Sequence, residues 1–331
     1  MPPSPVKIFE TLRAFQETAA LKSAIDLGLF TAIAEGALTA AAIAARCHAS
    51  ERGVRILCDS LVTNGMLLKQ DGGYENTTDT KTFLDRNSSA YMGGIAEFVC
   101  DPDMTEGMLA NLTECVRRGG TVMGTEGTVS DDNRIWVKFA RAMAPMTRPT
   151  AEFIAGQLPA SGPLKVLDIA AGHGMYGIAV ARRNPEAEVT ALDWEAVLEV
   201  AKQNAAAAGV ADRYKTIAGS AFTADFGTDY DAVLLTNILH HFDTATCESL
   251  AAKVCAALKP GGRAYTLEFV PNDDRVTPEV PARFALTMLY STAHGDAYTF
   301  AEYEPLFQRA GFSSSVVHLL ETQQSVIIST K

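Results

Sequence analysis

Two hydrophobic periods alternate along this chain. Over residues 7–34 apolar side chains recur at helical spacing: Phe9, Leu12, Phe15 and Ala19, then Leu21, Ala24, Ile25, Leu27 and Leu29, with Gly28 and Gly36 as punctuation. Shorter helices are predicted at Ala40–Arg46 and Ser50–Asn64, where Ser50 offers an N-cap hydroxyl and Gly65 a C′ glycine. Met66–Gln70, the Asp71-Gly72-Gly73 turn and Tyr74–Asn76 read as a β-hairpin. Helix, turn, helix and wing make a winged-helix unit over residues 1–100.

Residues 101–150 read as linking helices. Gly119-Gly120, Gly124 and Gly127 mark a loop before a helix at Asn133–Met146, in which Ile135, Trp136, Phe139, Ala142, Met143 and Met146 share a helical stripe. Packing against the rest of the chain accounts for most of that stripe.

From Lys165 the pattern changes to strand and helix in alternation. Strands are predicted near 165–169, 188–193, 214–218, 230–236 and 263–269. Continuous apolar runs such as Ala232-Val-Leu-Leu235 fit strands buried on both faces, hence a mostly parallel sheet in an α/β domain over 151–331. A last helix at Ala301–Ala310 opens on the capping box Thr299-x-x-Glu302 and stops at Gly311. Strands at Ser314–Leu319 and Gln324–Ser329 then add a terminal antiparallel hairpin.

Composition narrows the function classes. The 331 residues suit two domains, and 47% hydrophobic with 20% charged residues is an ordinary globular balance. Lys and Arg number 28 against 39 Asp and Glu, for a net charge of −11. That argues against a general nucleic-acid or anionic-membrane surface, which needs a basic face. A winged helix can read DNA, but residues 1–100 carry 9 basic and 11 acidic side chains, and the would-be recognition helix (Glu51, Arg52, Arg55, Asp59) is balanced. No apolar run approaches a membrane span, and the N-terminus lacks a signal pattern. Cys47, Cys58, Cys100, Cys115, Cys247 and Cys255 form no Cys-x-x-Cys and no metal-spaced cluster, so no metal is expected. They fit reduced thiols in the cytoplasm.

The chemistry concentrates in Val166-Leu-Asp-Ile-Ala-Ala-Gly-His-Gly174, followed by an acid, Asp193, 19 residues beyond Gly174. A strand, a glycine turn, a helix, a second strand and an acid form a nucleotide-cofactor arrangement. Ala170, Gly172 and Gly174 keep the turn narrow, and Asp193 offers two oxygens to two ribose hydroxyls. The turn reads as Ala-Gly-His-Gly rather than Gly-x-Gly-x-x-Gly. A shorter turn suits a cofactor with adenosine and no pyrophosphate, which points to S-adenosylmethionine. Trp194 either lies against the adenine or packs half-buried. Asn237 bonds either the cofactor or its own turn. Met288, Leu289 and Tyr290 supply another apolar wall.

With Gly219-Ser-Ala-Phe222 and Asn237-Ile-Leu-His-His-Phe-Asp243 added, residues 164–331 resemble the catalytic domain of class I S-adenosylmethionine-dependent methyltransferases. The whole chain resembles small-molecule O-methyltransferases with an N-terminal winged-helix dimerisation domain. The resemblance implies a Rossmann-like sheet, a homodimer, and S-adenosyl-L-homocysteine as the second product. It implies that Asp168 meets the methionine end of the cofactor, directly or through water, and that Gly219, Ser220, Ala221 and Phe222 flank the adenine. Many relatives carry an acid where this chain has Ser220; Asp225 is the alternative. The helix before the catalytic domain would line the acceptor pocket, with Phe139, Met143, Met146 and Met288 as candidates.

The resemblance also puts the general base at His240, with His241 pointing elsewhere, and names Glu268 and Glu321 as candidate carboxylates that hold it. His294 either reaches the pocket or sits in a polar loop. Deprotonation is the chemistry required, because a phenol with a pKa of about 10 is mostly protonated at neutral pH. Three rivals remain beside O-methylation: transfer to nitrogen or carbon on the same fold, a non-methylating reaction that uses the sulfonium electrostatically, and a DNA-binding regulator.

Overall fold

The computed structural model describes residues 3–124 and 135–331. Gly127 and Asn133 lie outside the described residues. The chain divides into two compact units, residues 1–102 and 103–331.

The first unit is helical with one β-hairpin. It holds α1 (Val6–Asp26), α2 (Leu29–Ala34), α3 (Ala40–Arg46), α4 (Glu51–Thr63), β1 (Leu67–Gln70), β2 (Gly73–Asn76), α5 (Thr78–Phe83) and α6 (Ile95–Val99). Gly28, at φ 66°, splits the long periodic run into α1 and α2. Ser50 caps α4 by accepting the Gly53 N–H at 3.0 Å. Gly65, at φ 70°, takes the left-handed position after that helix, as a C′ glycine does. Ile25, Leu29, Phe30, Ile43, Val54, Leu61, Leu67 and Tyr74 form the core. On α1, Phe9, Leu12 and Phe15 are 53%, 67% and 57% exposed, so the N-terminal part of this apolar stripe is not used within the unit.

The second unit begins with α7 (Pro102–Arg118), α8 (Ile135–Met143), a 3-10 turn (Ala144–Met146) and α9 (Arg148–Gly156). Helix α7 falls within the span read as linking helices, while α9 carries helix past residue 150 to Gly156. The alternation expected from residue 165 onward follows: β3 (Leu164–Ile169), α10 (Met175–Arg183), β4 (Ala187–Asp193), α11 (Glu195–Ala207), β5 (Tyr214–Ala218) and β6 (Tyr230–Thr236). Next come α12 (Thr244–Ala257), β7 (Leu258–Glu268), α13 (Glu279–Ser291), α14 (Phe300–Arg309), β8 (Ser314–Leu319) and β9 (Ser325–Thr330).

The seven strands lie in the order β5-β4-β3-β6-β7-β9-β8. Pairs among the first five are parallel, while β9 runs antiparallel to both β7 and β8. Val166, Val189 and Leu234 serve a core on one face; Leu167, Leu192, Val233 and Leu235 serve the other. Burial on both faces is why these strands read as unbroken apolar runs. The strand order reverses between β3 and β6, where an open α/β sheet leaves a crevice at its carboxyl edge.

Candidate active site

At that edge the backbone itself is shaped for a ligand. Ala170, just past β3, is at φ 54°, and Gly172 and Gly174 are at 57° and 75°. Positive φ is uncommon for alanine, so the turn is held in a strained path. Asp168 is fully buried; its Oδ2 accepts the Gly177 N–H at 3.1 Å, and its Oδ1 has no partner. Burial pushes this carboxyl up to about 7.

Gly177 is one residue of this turn that sequence reasoning missed. Gly172-His-Gly174-Met-Tyr-Gly177 completes the Gly-x-Gly-x-x-Gly spacing, which corrects the reading of a shorter turn. A Cβ on Gly177 would lie 2.7 Å from Val189 Cγ1 and 2.9 Å from Asp168 Oδ2, so the glycine lets α10 press on the sheet. A Cβ on Gly174 would lie 2.5 Å from the Tyr214 hydroxyl. Gly174 thus packs beneath the turn and is not on the cavity wall.

A cavity of about 530 Å³ opens over this turn. Ala170, Gly172, Asp193, Trp194, Gly219, Ser220, Ala221, Phe222 and Asn237 all line it, as does Phe139. Asp193 ends β4; its Oδ2 accepts the Gly172 N–H at 2.8 Å and its Oδ1 the Trp194 N–H at 2.7 Å. Burial raises its carboxyl to about 6 against those two N–H groups. Both oxygens keep lone-pair capacity for hydroxyl donors. Trp194 packs with Trp136, Val137, Ala140, Val197 and Val200, so it serves both the wall and the α8–α11 contact.

Several expectations need correction. Asn237, at φ 57°, lines the cavity but does not close its own turn with its side chain: its Oδ1 accepts from Gln324 Nε2 at 2.7 Å, tying β6 to the terminal hairpin turn. Asp225 does not stand in for an adenine acid, since it is exposed and accepts the Gly227 N–H at 2.9 Å. Met143, Met146 and Met288 are not on the wall. Trp136 and Phe139, rather than the methionines, line the cavity from α8. Met288 is buried, and its carbonyl is occupied by Thr292.

The two histidines also depart from expectation. His241, not His240, stands on the cavity wall, edge-on to Trp136 at 5.2 Å between ring centroids. The cap of α12 is Asp243, which accepts the Thr246 N–H at 2.7 Å. Burial and the neighbouring His240 hold the His241 imidazole well below its ordinary value, hence neutral. His240 is 4% exposed, and its ring lies 4.3 Å from that of His241 and 4.8 Å from Phe284.

Behind the wall, His240 Nδ1 meets Glu268 Oε2, and Glu268 Oε1 accepts the N–H groups of Ile238 at 3.1 Å and Leu239 at 2.8 Å. A carboxylate only accepts, so Nδ1 is the donor in this contact. Glu321 stands exposed on the β8–β9 turn, and among the described residues no hydrogen bond or ion pair joins it to His240. His294 does reach the cavity wall. Among the described residues no group of three or more His, Cys, Asp or Glu is arranged to hold a metal.

A sheet with this switch point, glycine turn and ribose-spaced acid defines the Rossmann-like methyltransferase class of fold. The comparisons carry this to the family. Residues 103–313 match the model of the O-methyltransferase domain, and residues 9–86 that of the O-methyltransferase dimerisation domain. The chain belongs to the O-methyltransferase family. It is 29% identical over 312 residues to a 3-hydroxy-5-methyl-1-naphthoate 3-O-methyltransferase of Streptomyces sahachiroi, covering 93% of this chain and 90% of that protein. It is 27% identical over 324 residues to an L-tyrosine C(3)-methyltransferase of Streptomyces lavendulae, covering 94% and 88%. The crystal structure of an O-methyltransferase candidate from Nostoc punctiforme superposes with a TM-score of 0.95 at 51% identity, over 100% of both chains.

Proposed function

We propose that this enzyme transfers the methyl group of S-adenosylmethionine to a hydroxyl of a small aromatic, polyketide-type molecule, and acts as a homodimer through its N-terminal unit. The observation that supports it most is the set of groups at the ends of neighbouring strands. These are an unpartnered buried carboxylate oxygen on Asp168, the wall acid Asp193, and the His240–Glu268 pair. When bound, the cofactor supplies an electrophilic methyl on its sulfonium. Asp168 would take its ammonium, Asp193 its ribose hydroxyls, and Phe222 and Trp194 its adenine.

His240 would accept the acceptor's hydroxyl proton at Nε2, with Glu268 holding the ring and stabilising the imidazolium. Such contacts are often long before the acceptor binds and tighten in the complex. Trp136, Phe139 and His241 would pack against an aromatic acceptor. The naphthoate relative supports a fused-ring phenol. The tyrosine C(3)-methyltransferase relative supports a second reading, transfer to a ring carbon, which also begins with deprotonation of a phenol.

The test is mass spectrometry with methyl-deuterated S-adenosylmethionine against phenols, catechols, hydroxynaphthoates and amines. Native protein is run beside His240→Ala and His241→Ala. A labelled ether that collapses only in His240→Ala supports the assignment. Collapse only in His241→Ala moves the base to the wall histidine, and label on a ring carbon favours the second reading.

A further inference from the structure

The turn that carries both histidines is not self-supporting. Residues Leu239–His241 form a single 3-10 turn, closed by His241 N–H to the Ile238 carbonyl at 3.2 Å and Phe242 N–H to the Leu239 carbonyl at 3.1 Å. The carbonyls of His240 and Phe242 face a different part of the chain, the loop between α13 and α14. A Cβ on Gly295 would collide with the His240 carbonyl oxygen and lie 2.9 Å from the His241 carbonyl carbon. Tyr298, in the same loop, donates its hydroxyl to the Phe242 carbonyl at 2.7 Å.

The loop is itself anchored. Thr292, 1% exposed, donates Oγ1–H to the Met288 carbonyl at 2.7 Å, and the same oxygen accepts the Gly295 N–H at 2.9 Å. The Thr292 carbonyl accepts the Thr121 N–H at 2.9 Å, and a Cβ on Gly120 would collide with the Ala293 carbonyl oxygen. One hydroxyl therefore joins the end of α13 to the residue pressed against the histidine backbone.

We propose that Thr292, Gly295 and Tyr298 are positioning residues that strap the His240–His241 turn from behind, and so set where His240 presents Nε2 once Glu268 has oriented its ring. None of the three is offered as touching a reactant. The proposal rests on the O-methyl transfer reading, in which displacement of the base by about 1 Å costs roughly 100-fold in rate. It also explains why position 295 is glycine although its backbone is not in the left-handed region: the reason is a close approach of two backbones, not a turn.

The experiment compares Gly295→Ala, Thr292→Val, Thr292→Ser and Tyr298→Phe in the full chain. It follows turnover of a hydroxynaphthoate panel with pH, S-adenosylhomocysteine affinity by calorimetry, and the His240 ring resonances by NMR. Expected for Gly295→Ala, Thr292→Val and Tyr298→Phe is a roughly 10–100-fold fall in kcat. Product affinity should stay within about twofold, the acid limb of the pH profile should move, and the His240 ring signals should shift. Thr292→Ser, which keeps the hydroxyl, restores native behaviour.

Native kcat, pH profile and His240 signals in Thr292→Val and Tyr298→Phe would overturn the strap. If Gly295→Ala does not fold, those two milder variants still decide. Failure of the native chain to bind S-adenosylhomocysteine would sink the functional reading instead, while the ring signals would still judge the strap.

Discussion

Glu268 serves His240 with one oxygen and His240's own turn with the other: Oε2 meets Nδ1, and Oε1 takes the N–H groups of Ile238 and Leu239. Orientation of the imidazole and closure of the turn therefore depend on one buried carboxylate. Glu268→Gln keeps the volume but loses the charge and offers only one acceptor oxygen. It should lower kcat by up to about 10²- to 10⁴-fold, as His240→Ala should, because the one leaves the imidazolium without its partner and the other removes the base. Steady-state assays of both single variants and the double variant check this. If the two act as a unit, the double variant will be no slower than the worse single one.

Asp168 links cofactor binding to pH. Its folded value of about 7 lies above the ordinary 3.8, so its contribution to apo stability is complete below about 4 and is lost as pH rises through 7. Asp168→Asn should raise the melting temperature of the ligand-free protein at pH 8, by an amount on the order of a few kcal/mol of stability, and leave it nearly unchanged at pH 4. The same variant should weaken S-adenosylhomocysteine binding at least roughly tenfold, since the ammonium loses a charged partner. In the native protein, binding below pH 7 should release a proton and weaken by up to about tenfold per unit. Calorimetry in two buffers of different ionisation enthalpy counts that proton.

Ser220 lines the cavity on the segment where a charged acceptor is common among the enzymes this chain resembles. Its hydroxyl accepts the Phe222 N–H at 3.3 Å, a long bond that leaves it available. Ser220→Asp should tighten S-adenosylhomocysteine binding, by about 1 kcal/mol or roughly fivefold, through a charge-assisted bond to the adenine amino group. Unchanged affinity would place the adenine elsewhere on the wall.

The exposed stripe Phe9, Leu12 and Phe15 on α1 is too apolar to be left in water without cost, at about 25 cal/mol per Å² of buried area. Leu12→Asp with Phe15→Asp should convert a dimer into a monomer by light scattering. The isolated charge on a formerly apolar contact forbids re-association. A native chain that is monomeric at micromolar concentration would contradict the dimer.

The sequence by itself determined the elements and the class of chemistry. Helical and unbroken apolar periods located the sheet strands and both α3 and α4, because burial on one stripe or on two faces leaves a direct imprint on residue order. The glycine turn and Asp193 were legible because a short backbone path beside a ligand permits few residue types.

What the tertiary structure decided is which neighbours face the cavity. His240 and His241 are adjacent and chemically alike, and a 3-10 turn separates their side chains in a way that spacing does not encode. Only the position of Glu268, 28 residues on, pulled one ring inward and left the other on the wall. Glu268 and Glu321 were equal as letters; one ends a central strand and the other sits on an exposed turn. Asn237 chose Gln324, 87 residues away, over its own turn. Partners so distant in the chain meet only when the sheet closes, and their energy is settled by burial and geometry that no local pattern contains.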